Sequence, residues 1–156
     1  MSRYPFSELE LRSRYISFLS DETNISVYPE VPVFCRSVDL VLHDERLKKL
    51  TAIEFKLHDW KKAIIQAQTV GICFDYLSIC LPKPKTSNAV VNVTEACISS
   101  KVGLIFYDMI SERFETVVRG PMASTVWKTQ KEKIINYLEA RSHESANKNA
   151  EIQHRN

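Results

Sequence analysis

The chain has 156 residues, of which 44% are hydrophobic and 26% are charged, and its formal net charge is +2. A chain of this length buries roughly two-thirds of its unfolded surface, so we predict one domain that folds without disulfides or a structural metal. The small net charge is no sign of a general nucleic-acid binder, although a local basic patch would matter more than the total. Because there is no apolar run of about 18 residues and no apolar segment near the start, we expect a cytoplasmic protein without membrane contact.

The first half of the chain predicts a helix, three strands and a second helix. Ser7, with Glu10 three residues later, matches a capping box that opens a helix. Two prolines in the stretch ISVYPEVPVF indicate an edge strand or a bent entry into the sheet, because proline cannot donate a ladder hydrogen bond. The predicted elements are a helix over 7–20, strands over 25–34, 37–44 and 50–57, and a helix over 59–74.

The second half continues the alternation of strands and helices. The near-continuous apolar run DYLSICLP predicts a strand that is buried on both faces. The predicted elements are strands over 75–82, 102–109 and 113–120, a helix over 89–101, and a closing helix over 122–141 with Trp127, Ile134, Ile135 and Leu138 inward. We therefore predict an α/β domain over 1–141, a mixed sheet with helices on both faces, and a polar tail over 142–156 that is a frayed helix end or disordered.

Asp39 is an unusual residue for the middle of an apolar strand. A carboxylate buried there is costly unless it is paired or binds a cation. If the strands over 37–44 and 50–57 form an antiparallel hairpin, Asp39 lies beside Glu54 or Lys56. Glu54 and Lys56 share one face of their strand because side chains alternate with a period of two. We therefore expect the three charged groups to converge at one edge of the sheet.

Two carboxylates and an ammonium at one point suit the metal-assisted hydrolysis of a phosphodiester. Mg²⁺ prefers oxygen ligands and keeps some of its waters. Asp39 and Glu54 would hold Mg²⁺ or Mn²⁺, with the backbone carbonyl of Phe55 as a further ligand. Lys56 would orient or help to deprotonate a water, or stabilise the charge on the phosphate. With three glycines, the chain has no room for a dinucleotide fingerprint or a Walker phosphate loop.

Asp39, the EFK triplet that begins at Glu54, and a following helix that carries Gln66 resemble the motif of the PD-(D/E)xK nuclease superfamily. The resemblance covers residues 8–81, and Val38 stands where the motif often has proline. It implies a restriction-endonuclease-like fold, metal-dependent cleavage of DNA, and a catalytic role for Gln66. An ordinary polar helix position is the alternative interpretation of that glutamine.

Many members of this superfamily carry a further acidic ligand upstream of the aspartate. Glu30, Glu8 and Glu10 are the candidates here, and we favour Glu30 as a metal ligand because it precedes the Asp39 strand. Weaker candidates for contact with nucleic acid are cations near the same edge of the predicted sheet, namely His58, Lys83 and Lys85. For His58, capping of the strand end is the favoured alternative, and for the lysines a solvated loop is equally consistent.

The sequence therefore predicts a metal-dependent DNA endonuclease. The alternative is a non-catalytic nuclease-fold module that binds nucleic acid or a protein partner. Because no second domain for reading DNA sequence is evident, we expect a protein that acts on DNA structure, forms a homodimer or relies on a targeting partner subunit, and no membrane partner.

Overall fold

The computed structural model of the chain describes residues 3–153, which contain one six-stranded sheet and four α-helices. The strands are β1 (Ile25–Val33), β2 (Arg36–Asp44), β3 (Lys49–Phe55), β4 (Tyr76–Pro82), β5 (Gly103–Asp108) and β6 (Arg113–Val118). The helices are α1 (Glu8–Phe18), α2 (Trp60–Val70), α3 (Ser87–Ser100) and α4 (Lys128–Gln153), and a short 3-10 helix, Gly71–Cys73, follows α2.

The strands lie in the sheet in their order along the chain, from β1 to β6. The β1–β2, β2–β3 and β5–β6 pairs are antiparallel, whereas β3–β4 and β4–β5 are parallel and are connected through α2 and α3. β1 is an edge strand, which is one of the two alternatives that its prolines predicted. The predicted class, an α/β fold with a mixed sheet and helices on both faces, is confirmed.

Alternation along β4 and β5 separates two apolar layers, one on each face of the sheet. On one face the layer joins α2 and α3 to the sheet through Ala63, Ile64, Ala67, Val93, Cys97, Ile79, Leu81, Leu104 and Phe106. On the other face it joins the start of the chain and α1 to the sheet through Phe6, Leu11, Tyr15, Leu40, Ile53, Phe55, Cys80, Ile105 and Tyr107. The middle strands are therefore covered on both faces, which explains the near-continuous apolar run of β4.

Side-chain caps fix the starts of the helices that approach the ends of β2 and β3. The Ser7 hydroxyl accepts from Glu10 N at 3.1 Å, and Glu10 Oε2 accepts from Ser7 N at 2.6 Å, so the predicted capping box of α1 is present. Asp59 Oδ1 accepts from Lys62 N at 3.0 Å and caps α2, also as predicted. These caps satisfy backbone donors that a helix start leaves unpaired, and so set where each helix begins.

The contacts within the chain divide it into two units, one up to Val126 and one from Trp127 onward. The first unit holds the sheet and α1 to α3. The second holds α4, which begins at Lys128, six residues later than the sequence predicted, and continues through positions 142–153. Ile134 and Leu138 are buried, but Trp127 is 47% exposed, so its predicted inward position is wrong. No helix within residues 3–153 is both long and apolar enough to cross a membrane.

Candidate functional site

Two carboxylates lie side by side where β2 and β3 meet. The β2–β3 register pairs Leu40 with Ile53, and one step further it places Asp39 opposite Glu54. Asp39 Oδ2 accepts a hydrogen bond from the backbone N–H of Phe55 at 2.8 Å. The Glu54 residue is only 1% exposed. The structure therefore brings together the two acidic residues that the sequence selected, because a hairpin register fixes which side chains are neighbours.

The surroundings of Glu54 disfavour the ionised form of its side chain. Burial, followed by the charge of Asp39 and a hydrogen bond with its side chain, raises the pKa of Glu54 to about 8. Arg36 and Lys56 oppose this rise, because each favours the charged form. A carboxyl group in this position requires a proton or added positive charge, and two adjacent carboxylates are a common feature of sites that bind cations or transfer protons.

Arg36 connects β2 to Glu54 and α2. Its Nη2 lies 3.4 Å from Glu54 Oε1, and its Nη1 donates to the backbone carbonyl of Gln66 at 3.2 Å. The Gln66 side-chain oxygen is buried and has no hydrogen-bond partner among the residues that the structure describes. The structure thus links the Gln66 backbone to Glu54 through Arg36, while the buried Gln66 side-chain oxygen is an unsatisfied acceptor, which is costly.

Glu30 continues the acidic row onto the edge strand. The β1–β2 ladder pairs Pro29 with Leu40 and Val31 with Val38, so position 30 falls opposite Asp39. Glu30 has a φ of 54°, a left-handed conformation that is strained for a residue with a side chain. Its side chain is 70% exposed, and its Oε1 lies 3.6 Å from Arg12 Nη1. Glu30 therefore lies next to Asp39 in register, although its carboxylate is directed toward an arginine.

Helix α1 supplies two further charged groups at this edge. Arg12 Nη1 donates to the backbone carbonyl of Asp39 at 3.3 Å, and Lys56 Nζ lies 3.3 Å from Glu8 Oε2. The carboxylate of the third acidic candidate, Glu10, belongs to the α1 cap. Its hydrogen bonds with Ser7 lower the pKa of Glu10. At this edge a cleft of about 240 Å³ is lined by Glu8, Leu9, Arg12, Glu30, Asp39 and Phe55, whereas Glu54 and Lys56 are not among its lining residues.

Among the described residues there is no group of three or more acidic, histidine or cysteine side chains arranged to hold a metal ion. The adjacent carboxylates of Asp39 and Glu54 are of the donor type that a hard divalent cation prefers, and Mg²⁺ needs few protein ligands because it keeps several waters. Their role as metal ligands stays a prediction. The roles of Glu30 and of the Phe55 carbonyl as additional ligands stay predictions.

Two of the three weaker candidates for contact with nucleic acid, His58 and Lys85, do not line the carboxylate cleft. They line a separate depression of about 230 Å³. The His58 ring centroid lies 5.1 Å from that of Tyr4. Lys83 is exposed nearby, and its backbone N–H donates to the Tyr107 carbonyl at 2.9 Å. The structure therefore groups His58 with Lys85 at some remove from Asp39.

Arg12 is the residue of this site that sequence reasoning missed. One signal was available, because Glu8 and Arg12 are four residues apart in a well-capped helix and so lie on the same face. Both line the carboxylate cleft. Which face of α1 meets the sheet edge depends on tertiary packing, and the capping pattern does not contain that information.

Comparisons with known proteins establish the fold and nothing finer. No protein-family model matches the chain, and no curated protein matches it in sequence. Among solved structures, the SPO1766 protein of unknown function from Silicibacter pomeroyi aligns over 95% of this chain and 96% of its own, at 14% identity and a TM-score of 0.64. SfsA of Pyrococcus furiosus, solved in complex with Ca²⁺, aligns over 69% of this chain and 59% of its own, at 10% identity and a TM-score of 0.38. The resemblance to PD-(D/E)xK nucleases stays a prediction.

Proposed function

We propose that this protein is a metal-dependent DNA endonuclease that uses Mg²⁺ or Mn²⁺. The observation that carries the proposal is the juxtaposition of Asp39 with the buried Glu54 at the end of the β2–β3 hairpin. Ionising both carboxylates at this separation is costly, because Glu54 is buried and Asp39 is its neighbour. It becomes favourable when a divalent cation is bound, and phosphodiester hydrolysis is chemistry that such a site can support.

The charged groups near the Asp39–Glu54 pair have distinct roles in this proposal. Asp39 and Glu54 would hold the cation, which when bound neutralises phosphate charge and lowers the pKa of a water. The hydrogen bond from Phe55 N fixes the Asp39 carboxylate in place. Lys56 donates to the phosphate or to the attacking water, and Glu8 positions its ammonium group at 3.3 Å. Arg36 compensates part of the negative charge on Glu54 and links the site to the Gln66 helix.

Cleavage assays on the full chain test this proposal. Supercoiled plasmid, linear duplex, single-stranded DNA, branched DNA and RNA are incubated with Mg²⁺, Mn²⁺ or EDTA. We expect metal-dependent cutting that Glu54→Gln abolishes, because the amide keeps the shape of the side chain but is a poor cation ligand. The matched control is Glu115→Gln, the same change at an exposed position on β6. Equal cutting by the wild type and Glu54→Gln would refute the proposal.

A non-catalytic nuclease-fold module is the second candidate. The observation that favours it is that both Glu54 and Lys56 are already ion-paired within the protein, with Arg36 and Glu8. A site neutralised by its own side chains has less need of a cation. Absence of cutting, together with absence of Mn²⁺ binding by the folded protein in calorimetry, would favour the module over the nuclease. Analytical ultracentrifugation with and without DNA tests the proposed homodimer, and a targeting subunit would be required if the isolated chain binds Mn²⁺ without cutting.

A further inference from the structure

Each carboxylate of the Asp39–Glu54 pair has one oxygen that is already hydrogen-bonded within the protein. Asp39 Oδ2 accepts from the backbone N–H of Phe55 at 2.8 Å. Glu54 Oε1 accepts from Arg36 Nη2 at 3.4 Å. We therefore expect a cation to bind through the other oxygen of each group, Asp39 Oδ1 and Glu54 Oε2.

Of the two donors, Arg36 restricts its oxygen more strongly. The Phe55 N–H is neutral, whereas a guanidinium carries a positive charge that repels any cation near the oxygen it binds. Arg36 is also held from its other side, because its Nη1 donates to the backbone carbonyl of Gln66 at 3.2 Å. The Arg36 side chain is 23% exposed and that of Glu54 is 2% exposed, so solvent ions screen this pair little. The guanidinium therefore keeps a cation away from Glu54 Oε1.

Coordination through one oxygen of each carboxylate separates small divalent cations from large ones. Ca²⁺ takes roughly six to eight oxygen ligands at about 2.3–2.6 Å, and a carboxylate often gives it both oxygens. Mg²⁺ takes its ligands at about 2.0–2.1 Å, keeps several waters and needs only one or two carboxylates from the protein. Mn²⁺ prefers the same carboxylate and water ligands as Mg²⁺. Two carboxylates that each give one oxygen therefore suit Mg²⁺ and Mn²⁺ better than Ca²⁺.

We propose that Arg36 is a positioning residue that sets the cation selectivity of this site, because it limits Glu54 to one coordinating oxygen and so favours Mg²⁺ and Mn²⁺ over Ca²⁺. This inference rests on the proposed function for the identity of the metal ligands. Arg36 acts through Glu54 and does not contact the metal. Without the guanidinium, Glu54 can turn both oxygens toward one cation, which improves the binding of Ca²⁺ more than that of Mn²⁺.

Calorimetric titration of the full chain with Mn²⁺ and with Ca²⁺ at one pH tests this role. The readout is the selectivity ratio, the Kd for Ca²⁺ divided by the Kd for Mn²⁺. Because the two cations carry the same charge, a lost arginine charge or a change in the protonation of Glu54 alters both affinities alike and cancels in the ratio. Arg36→Met removes the charge and the donors, whereas Arg36→Lys keeps a charged donor. The matched control is Arg46→Met, an exposed arginine in the turn between β2 and β3 at the opposite end of the hairpin from Asp39.

We expect the selectivity ratio to fall about tenfold in Arg36→Met, since groups that orient a metal ligand typically change metal affinity by about 10- to 100-fold when they are removed. Arg36→Lys should keep most of the ratio of the wild type, because an ammonium group beside Glu54 Oε1 still repels a cation there. Arg46→Met should leave the ratio unchanged. A folded Arg36→Met protein with the ratio of the wild type would overturn the inference.

The wild type supplies a second measurement that does not depend on the folding of a variant. It should bind Mn²⁺ at least about tenfold more tightly than Ca²⁺, and equal affinities overturn the inference.

Cleavage in Mn²⁺ separates failure of this inference from failure of the proposed function. If the wild type cuts DNA but binds the two cations equally, the nuclease stands and the role of Arg36 is refuted. If the selectivity ratio responds to Arg36 as expected but no substrate is cut, the role of Arg36 stands and the proposed function fails for the isolated chain. If the folded protein binds neither cation, both are refuted.

Discussion

Two buried carboxylates lie at opposite ends of β3, and their surroundings differ in kind. At the start of β3, Asp75 is 3% exposed and accepts from the Leu50 backbone N–H at 2.8 Å, with Lys49 Nζ at 3.5 Å. At the far end, Glu54 is 1% exposed and lies against another carboxylate, that of Asp39. The first carboxylate is stabilised by donors, whereas the second is destabilised by its neighbour.

This contrast separates a carboxylate with a structural role from one that we propose to be functional. A buried acid that accepts a backbone hydrogen bond holds two segments together, here the start of β3 and the segment before β4. A buried acid that faces another acid costs stability, and such pairs are concentrated at sites that bind cations or move protons. Burial alone would have ranked the two residues as equivalent, and only their partners separate them.

The largest expected difference between the two ends of β3 is in the effect of replacing the lysine at each end on the rate of cleavage. Lys56→Ala should lower the rate of cleavage about 100- to 10,000-fold, because it removes a group that acts on the water or the phosphate. Lys49→Ala, which removes the partner of Asp75, should leave cleavage unchanged. Single-turnover kinetics with Mg²⁺ measures both. Equal rate losses in the two variants would mean that the comparison does not distinguish function from structure.

A second test uses the pH dependence of stability. Because the pKa of Glu54 is raised from 4.5 to about 8, the folded state binds more protons than the unfolded state between these values. The free energy of unfolding should therefore fall as pH rises through this window, on the order of 3 kcal/mol from this group. Glu54→Gln should remove that fall. Urea denaturation in EDTA from pH 5 to 9 measures it, and parallel profiles for the two proteins would contradict the assignment.

The structural role of Asp75 predicts that its replacement lowers the stability of the protein and leaves cleavage unchanged. Asp75→Ala leaves the buried Leu50 N–H without its acceptor, which should lower the free energy of unfolding by about 2 kcal/mol. Cleavage per folded molecule should not change. Urea denaturation at pH 7 together with the cleavage assay checks both parts. A variant that is as stable as the wild type but inactive would assign Asp75 to the functional site.

The smallest expected effect is that of Glu8. Its ion pair with Lys56 is partly exposed, so Glu8→Gln should change the free energy of unfolding by less than about 1 kcal/mol. If Glu8 only positions Lys56, cleavage should decrease modestly and the dependence on Mg²⁺ concentration should stay unchanged. A large rise in the Mg²⁺ concentration needed for half-maximal cleavage would instead make Glu8 a metal ligand.

Local chemistry in the sequence determined much of the fold. The Ser7–Glu10 capping box, the Asp59 cap and the edge position of the proline-containing β1 all follow from a few neighbouring residues, and the structure contains each of them. The predicted start of the closing helix was wrong, because the segment before Lys128 is held in a non-helical conformation in which Ala123 N donates to the backbone carbonyl of Asp75 at 2.7 Å. Exposed Trp127 follows from the same misplaced start.

From the sequence, alternation and the short connection between two successive strands placed Asp39 beside Glu54 or Lys56, and the register in the folded sheet selects Glu54. Which cations meet those carboxylates depends on tertiary packing. Arg36 reaches Glu54 while it binds the Gln66 carbonyl, and Arg12 approaches from α1. These contacts join segments far apart in the chain, and their formation depends on how helices pack on a sheet, which no local pattern of residues encodes.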